Sequence, residues 1–212
     1  MEASMDFNDL IPELLVTDID VSEEFYTAEL GFSVAFRRDG FVFLSFNSTQ
    51  LMITQLKPDS WVNGEPVAPF GRGMGVIRME ASMDFNDLIP ELLVTDIDVS
   101  EEFYTAELGF SVAFRRDGFV FLSFNSTQLM ITQLKPDSWV NGEPVAPFGR
   151  GMNLTFKVTS EWLDSIVFSP NDVFLPLQTE NYQTGDVETV VRQTIVKDPD
   201  GYLIRFICQS TA

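Results

Sequence analysis

Four short runs rich in aromatic and β-branched side chains open the chain: Leu10 to Val16, Phe32 to Arg37, Phe41 to Phe46 and Leu51 to Leu56. Their length and composition are those of strands. Between the first two the apolar spacing changes, with Val21, Phe25 and Leu30 placed to form one helical stripe. Asp20 with Glu23 three residues on has the spacing of a capping box, which opens a helix at Asp20. Gly31 follows the stripe as a left-handed cap, and Asp39-Gly40 is a hairpin turn between the second and third strands. The order is β-α-β-β-β. Pro58, Pro66 and Pro69 then punctuate Lys57 to Gly73 too often for a further strand.

The same letters return. Residues 1–74 are identical to residues 79–152 at all 74 positions, and the match ends abruptly at Gly75 against Asn153. Repeats that diverge under selection drift, so this duplication is recent or engineered. After the second copy the βαβββ order recurs in different residues: strand Asn153 to Val158, helix Glu161 to Val167, a weak strand Val173 to Pro176, a strong one Val190 to Lys197, and a last one Tyr202 to Cys208 after the turn Pro199-Asp200-Gly201. The organisation expected is a first module 1–74, a linker 75–78, a second module 79–152 and a tail module 153–212. The fold class is α+β, with three tandem βαβββ modules.

Composition narrows the partners. The 212 residues carry 32 acids against 13 bases, a net charge of −19 with no histidine. Such a chain repels phosphate backbones, so nucleic acid is not expected, whereas cations concentrate near its surface. No apolar run reaches the roughly 18 residues that cross a bilayer, and the acidic start MEASMDFND is unlike a signal peptide, which points to the cytoplasm. The single Cys208 lies in an apolar run as a small core residue.

The segments VTDIDVSEEFYTAELGF, RRDGFVFL and DPDGYLIRF together resemble the vicinal oxygen chelate superfamily, and within it most closely the bleomycin-resistance branch. The resemblance implies modules paired edge to edge, with curved sheets enclosing one half-barrel cavity. It also locates the positions that carry metal ligands in enzymes of the superfamily, on the first and fourth strands. Here they fall at Ile11 and Ile89, Thr54 and Thr132, Asn153 and Arg205, and only a small register shift would add Glu13. A divalent ion needs several imidazole or carboxylate donors, so no metal and no cofactor are expected. No Ser-His or Cys-His pair is possible without histidine. The expectation is a non-enzymatic binding protein.

Given inward-facing metal positions, strand alternation points Glu13, Phe41, Phe43 and Thr54 into the cavity, and Glu91, Phe119, Phe121 and Thr132 likewise in the second copy. Asn153 and Arg205 join them from the tail. Trp61 and Trp139, on the Pro-rich loops, are by resemblance the candidates for an aromatic drug-binding groove. The ligand implied is a small cationic or aromatic molecule of the bleomycin type. A lyase or dioxygenase of the same superfamily is the alternative, as is a duplication product with no ligand function. Three modules cannot all pair within one chain. Residues 79–152, joined directly to the tail, are expected to be its edge-to-edge partner, and the spare module 1–74 to find a second chain, giving a homodimer or a multiple of one. The competing pairing, in which residues 1–74 take the tail and the inner copy is left over, needs the chain to reach across an inserted module.

Overall fold

The computed structural model describes residues 7–58, 60, 85–138, 140, 142–184 and 187–211. Twelve strands form two sheets among these residues. In the first copy, β1 (Leu10–Val16), β2 (Ser33–Arg38), β3 (Phe41–Phe46) and β4 (Thr49–Gln55) follow the expected order, with α1 (Ile19–Glu24) after β1. The second copy gives β5 (Glu91–Val94), α2 (Ile97–Glu102), β6 (Ser111–Arg116), β7 (Phe119–Phe124) and β8 (Thr127–Gln133). The tail supplies β9 (Met152–Lys157), α3 (Ser160–Ser165), β10 (Val173–Thr184), β11 (Val187–Lys197) and β12 (Leu203–Thr211). Among the described residues no helix is long and apolar enough to cross a membrane.

The helix of each copy starts two residues earlier than the capping-box spacing suggests. Asp18, not Asp20, is the N-cap: its carboxylate accepts from the Asp20 and Val21 amides, satisfying donors that the first turn leaves free. Asp20 instead pairs with Arg37 across the surface. The helix then widens into a π-turn over Phe25–Glu29. β10 is far longer than the four residues that alternation suggested, because pairing with β11 from Gln178 to Thr184 carries it past Pro176 after two register shifts.

The modules assemble otherwise than their order in the chain suggests. β1 of the first copy pairs antiparallel with β9 of the tail, Leu10 opposite Phe156 and Leu14 opposite Met152. An eight-stranded sheet results, in the order β10-β11-β12-β9-β1-β4-β3-β2. The second copy, expected in that place, forms a separate four-stranded sheet, β5-β8-β7-β6. It does contact the tail, but through its helix side: Phe110 and Phe124 pack edge-on against Phe156, and Phe124 also meets Trp162 and Phe206.

Polar contacts lock this back-to-back packing. The Tyr104 hydroxyl donates to Asp198 at 2.9 Å, the Tyr202 hydroxyl donates to the Leu93 carbonyl at 3.0 Å, and the Thr95 amide and hydroxyl donate to Asp200. Gly149 has φ of +68°, and a Cβ there would stand 2.3 Å from the Tyr202 ring, so only glycine lets the loop close on it. The direct connection thus keeps the second copy on the tail, but the large aromatic helix side is the surface it buries. The tail's sheet edge is left for the first copy.

Candidate functional site

Alternation along β1, β3 and β4 sorts the first copy into two faces. Leu14, Val16, Val42, Leu44, Leu51 and Ile53 pack with Ile19, Tyr26 and Phe32 on the helix side, while Ile11, Phe41, Phe43 and Met52 gather on the other with Phe7. That second face is concave against the tail. β9 and β12 run parallel with Thr155 opposite Arg205, and β1 sets Ile11 opposite Thr155 and Glu13 opposite Asn153. A cavity of about 230 Å³ lies between them, walled by Phe36, Phe41, Phe43, Met52 and Tyr182 and bordered by Arg38, Lys157 and Arg205.

The sequence-predicted residues therefore divide. Glu13, Phe41, Phe43, Thr54, Asn153 and Arg205 share the concave face of the eight-stranded sheet. The Thr54 hydroxyl donates to Glu13 at 2.7 Å, and the Asn153 amide reaches the other Glu13 oxygen at 3.5 Å. Glu91, Phe119, Phe121 and Thr132 repeat this arrangement on the second sheet, with Thr132 donating to Glu91 at 2.6 Å, but there they meet Phe85 and Ile89 rather than the tail. Their expected union with Asn153 and Arg205 does not occur, because the second copy turns its other side to the tail. Trp61 and Trp139 lie outside the described residues.

Thr155 lines the cavity; Asn153, two residues before it on β9, is among the sequence-predicted site residues, whereas sequence reasoning missed Gln193. Asn153, Thr155 and Gln193 are 2%, 5% and 1% exposed, and Asn153 Oδ1, Thr155 Oγ1 and Gln193 Nε2 have no hydrogen-bond partner. Gln193 Oε1 accepts from Arg205. The signal available in the sequence was Gln193 itself, a polar residue inside the apolar strand Val190 to Lys197, one position out of step with its neighbours. Burial pulls the Arg205 pKa below the ordinary arginine value, against the pull of Glu13, Tyr182 and Glu180. Arg38 lies 4.8 Å from the centre of the Phe41 ring, within cation–π range.

The four positions that the resemblance assigns to metal ligands hold Ile11, Thr54, Asn153 and Arg205, one of them hydrocarbon and one a cation. They do not fit a metal. Glu13 is the one carboxylate on the same concave face of β1, and no cluster of three His, Cys, Asp or Glu side chains occurs among the described residues.

A larger cleft of about 530 Å³ opens where the two copies meet, between the segments around Asp9 and Asp87. None of its described lining residues buries an unpaired polar atom, so the half-barrel cavity is the stronger candidate.

No protein-family model matches this sequence, and a search of curated proteins finds no match. Among solved structures, glyoxalase I from Zea mays is similar over 93% of this chain and 91% of its own, at 14% identity and a TM-score of 0.55. That likeness shows the fold, a mixed α+β arrangement with curved, open sheets. A glyoxalase/bleomycin resistance protein/dioxygenase superfamily member from Vibrio splendidus 12B01 matches 57% of this chain and 97% of its own at 29% identity, with a TM-score of 0.24. TioX from Micromonospora sp. ML1 matches 58% and 98% at 19% identity, with a TM-score of 0.43.

Proposed function

We propose that this chain is a metal-free, non-catalytic binding protein whose small-molecule ligand occupies the cavity between residues 1–74 and the tail. The observation that carries this reading is the aromatic-walled cavity lined by Thr155, whose buried hydroxyl has no partner, with Asn153 Oδ1 and Gln193 Nε2 also buried and unpaired. Each such group costs about 1–3 kcal/mol. A bound molecule that hydrogen-bonds Thr155 removes that group's cost, and the aromatic walls supply apolar contact. A lyase or dioxygenase reading has less support, since the donor set does not suit a metal.

The cationic, bleomycin-like drug suggested by the overall acidity fits this cavity poorly. Its charged lining residues are Arg38, Lys157 and Arg205, and about 230 Å³ is small for a glycopeptide. The homodimer remains part of the proposal on different grounds. Phe25, Leu30 and Phe46 on the first copy are exposed, and a second chain presenting the same face would cover them. A monodisperse mass near that of one chain, 23.9 kDa, in light scattering would defeat the dimer.

The binding reading is tested with an uncharged flat probe, 1-naphthalenemethanol. It is expected to raise Tm, to bind saturably in calorimetry, and to lose that binding when Thr155→Leu fills the floor. Absence of saturable binding up to the solubility limit would overturn the reading.

A further inference from the structure

We infer that the half-barrel cavity selects an organic anion, a molecule with a flat apolar body and one carboxylate or similar acidic group; this rests on the binding reading above. The charged side chains bordering the cavity are all cations, Arg38, Lys157 and Arg205, in a chain of net charge −19. Thirteen bases among 212 residues make three at one small cavity a local reversal of the chain's sign, and such reversal focuses ions of the opposite charge.

The acids near the site offset it in part, since Glu13 and Glu180 both act on Arg205. Glu13 is engaged by the Thr54 hydroxyl at 2.7 Å and by the Asn153 amide. Glu180 accepts from the Tyr182 hydroxyl. Neither lines the cavity.

The geometry supplies the hydrogen bonds an anion needs. Thr155 stands opposite Arg205 in the parallel β9–β12 pair, and Gln193 is held next to that guanidinium by its own carbonyl oxygen. The Gln193 amide nitrogen is consequently left as an unpaired donor. It sits on the same face of β11 as Val191, which lines the cavity. A carboxylate against Thr155 would accept from its hydroxyl beside the Arg205 guanidinium, both of which line the cavity, the arrangement in which hydrogen bonds are strongest. Its apolar body would then lie against Phe41, Phe43 and Met52. Burial that disfavours the charge on Arg205 acts in the same sense, because a buried cation gains from an anion brought to it.

The test compares three probes of one shape on the full chain by calorimetry: 1-naphthoate, 1-naphthalenemethanol and 1-naphthylmethylammonium. Naphthoate is expected to bind about tenfold or more tighter than the alcohol, and the ammonium weakest. Arg205→Gln should remove that preference while leaving the alcohol's affinity within about threefold, which also reports that the cavity is still folded. Thr155→Val, nearly isosteric, should weaken naphthoate more than the alcohol. Equal binding of acid and alcohol, or preference for the ammonium, overturns the anion assignment while leaving a binding protein. Binding of none of the three removes the binding reading itself.

Discussion

Phe25 and Phe103 are the same residue in the same motif, yet one is 52% exposed and the other 9%. Leu30 and Leu108 differ more, at 46% and 0%, and Phe46 and Phe124 at 43% and 6%. The local geometry of the two copies is meanwhile alike. The N-cap aspartates have φ, ψ of −139°, 111° and −139°, 109°. Asn47 and Asn125 both take φ of 52°, and the Glu–Thr pairs differ by 0.1 Å. Even the edge strand responds to its surroundings: β1 runs seven residues against β9, while β5 runs four. A turn, a cap or a cross-strand pair is thus settled within a module. Which face of the module is interior depends on what docks against it.

The comparison can be broken most sharply by truncating equivalent residues. Leu108→Ala should destabilise the chain by about 2–5 kcal/mol in urea denaturation at any chain concentration, and Leu30→Ala by less than about 1 kcal/mol at dilutions where the chain is monomeric. Equal losses would mean that the helix side of the first copy is also buried in solution. Tyr104→Phe should cost about 1–3 kcal/mol by taking the hydroxyl donor from buried Asp198, whereas Tyr26→Phe, at the same place in the first copy, should be near neutral.

A pH dependence should belong to the second interface alone. Burial pushes the Asp198 pKa up to about 7, against hydrogen bonds from Tyr202, Tyr104 and Gly201 that hold it ionised. The folded state therefore binds a proton that the unfolded chain releases near pH 4. The contribution of this group falls as pH rises from about 4 to 7 and is level above that. Thermal melts should show Asp198→Asn losing less stability than the parent between pH 5 and pH 8; an unchanged slope would assign the dependence elsewhere.

Glu13→Gln should strengthen 1-naphthoate binding a few-fold by removing the acid nearest Arg205, and Glu91→Gln should leave it unchanged. Matching effects would place both copies at the cavity. The smallest difference concerns the surface pairs Arg37–Asp20 and Arg115–Asp98. Removing either should change stability by less than about 1 kcal/mol, since exposed ion pairs contribute little in water.

Strand identity was readable wherever a module decides it internally. Phe41–Phe46 has the expected bounds, because the apolar run is bounded by turn residues and pairs with near neighbours, whereas β1 keeps its expected length only where β9 lies beside it. The helix stripe Val21, Phe25, Leu30 was read as buried; Phe25 and Leu30 are exposed in the first copy for want of a partner, whereas Val21 and its counterpart Val99 are exposed in both copies. Asn153 and Arg205 were legible as cavity residues through the register of the resemblance. Gln193 was not, since its role depends on β11 lying beside β12 and setting its amide against Arg205.

The sequence by itself determined the order of strands and helices, their turns, and which side chains share a strand face, since these follow from local sterics and alternation. Identical letters cannot say which copy pairs by its edge and which by its back. Only the tertiary structure decided that: the tail has one free sheet edge and one apolar helix side, each is used once, and burial goes to the module that reaches it.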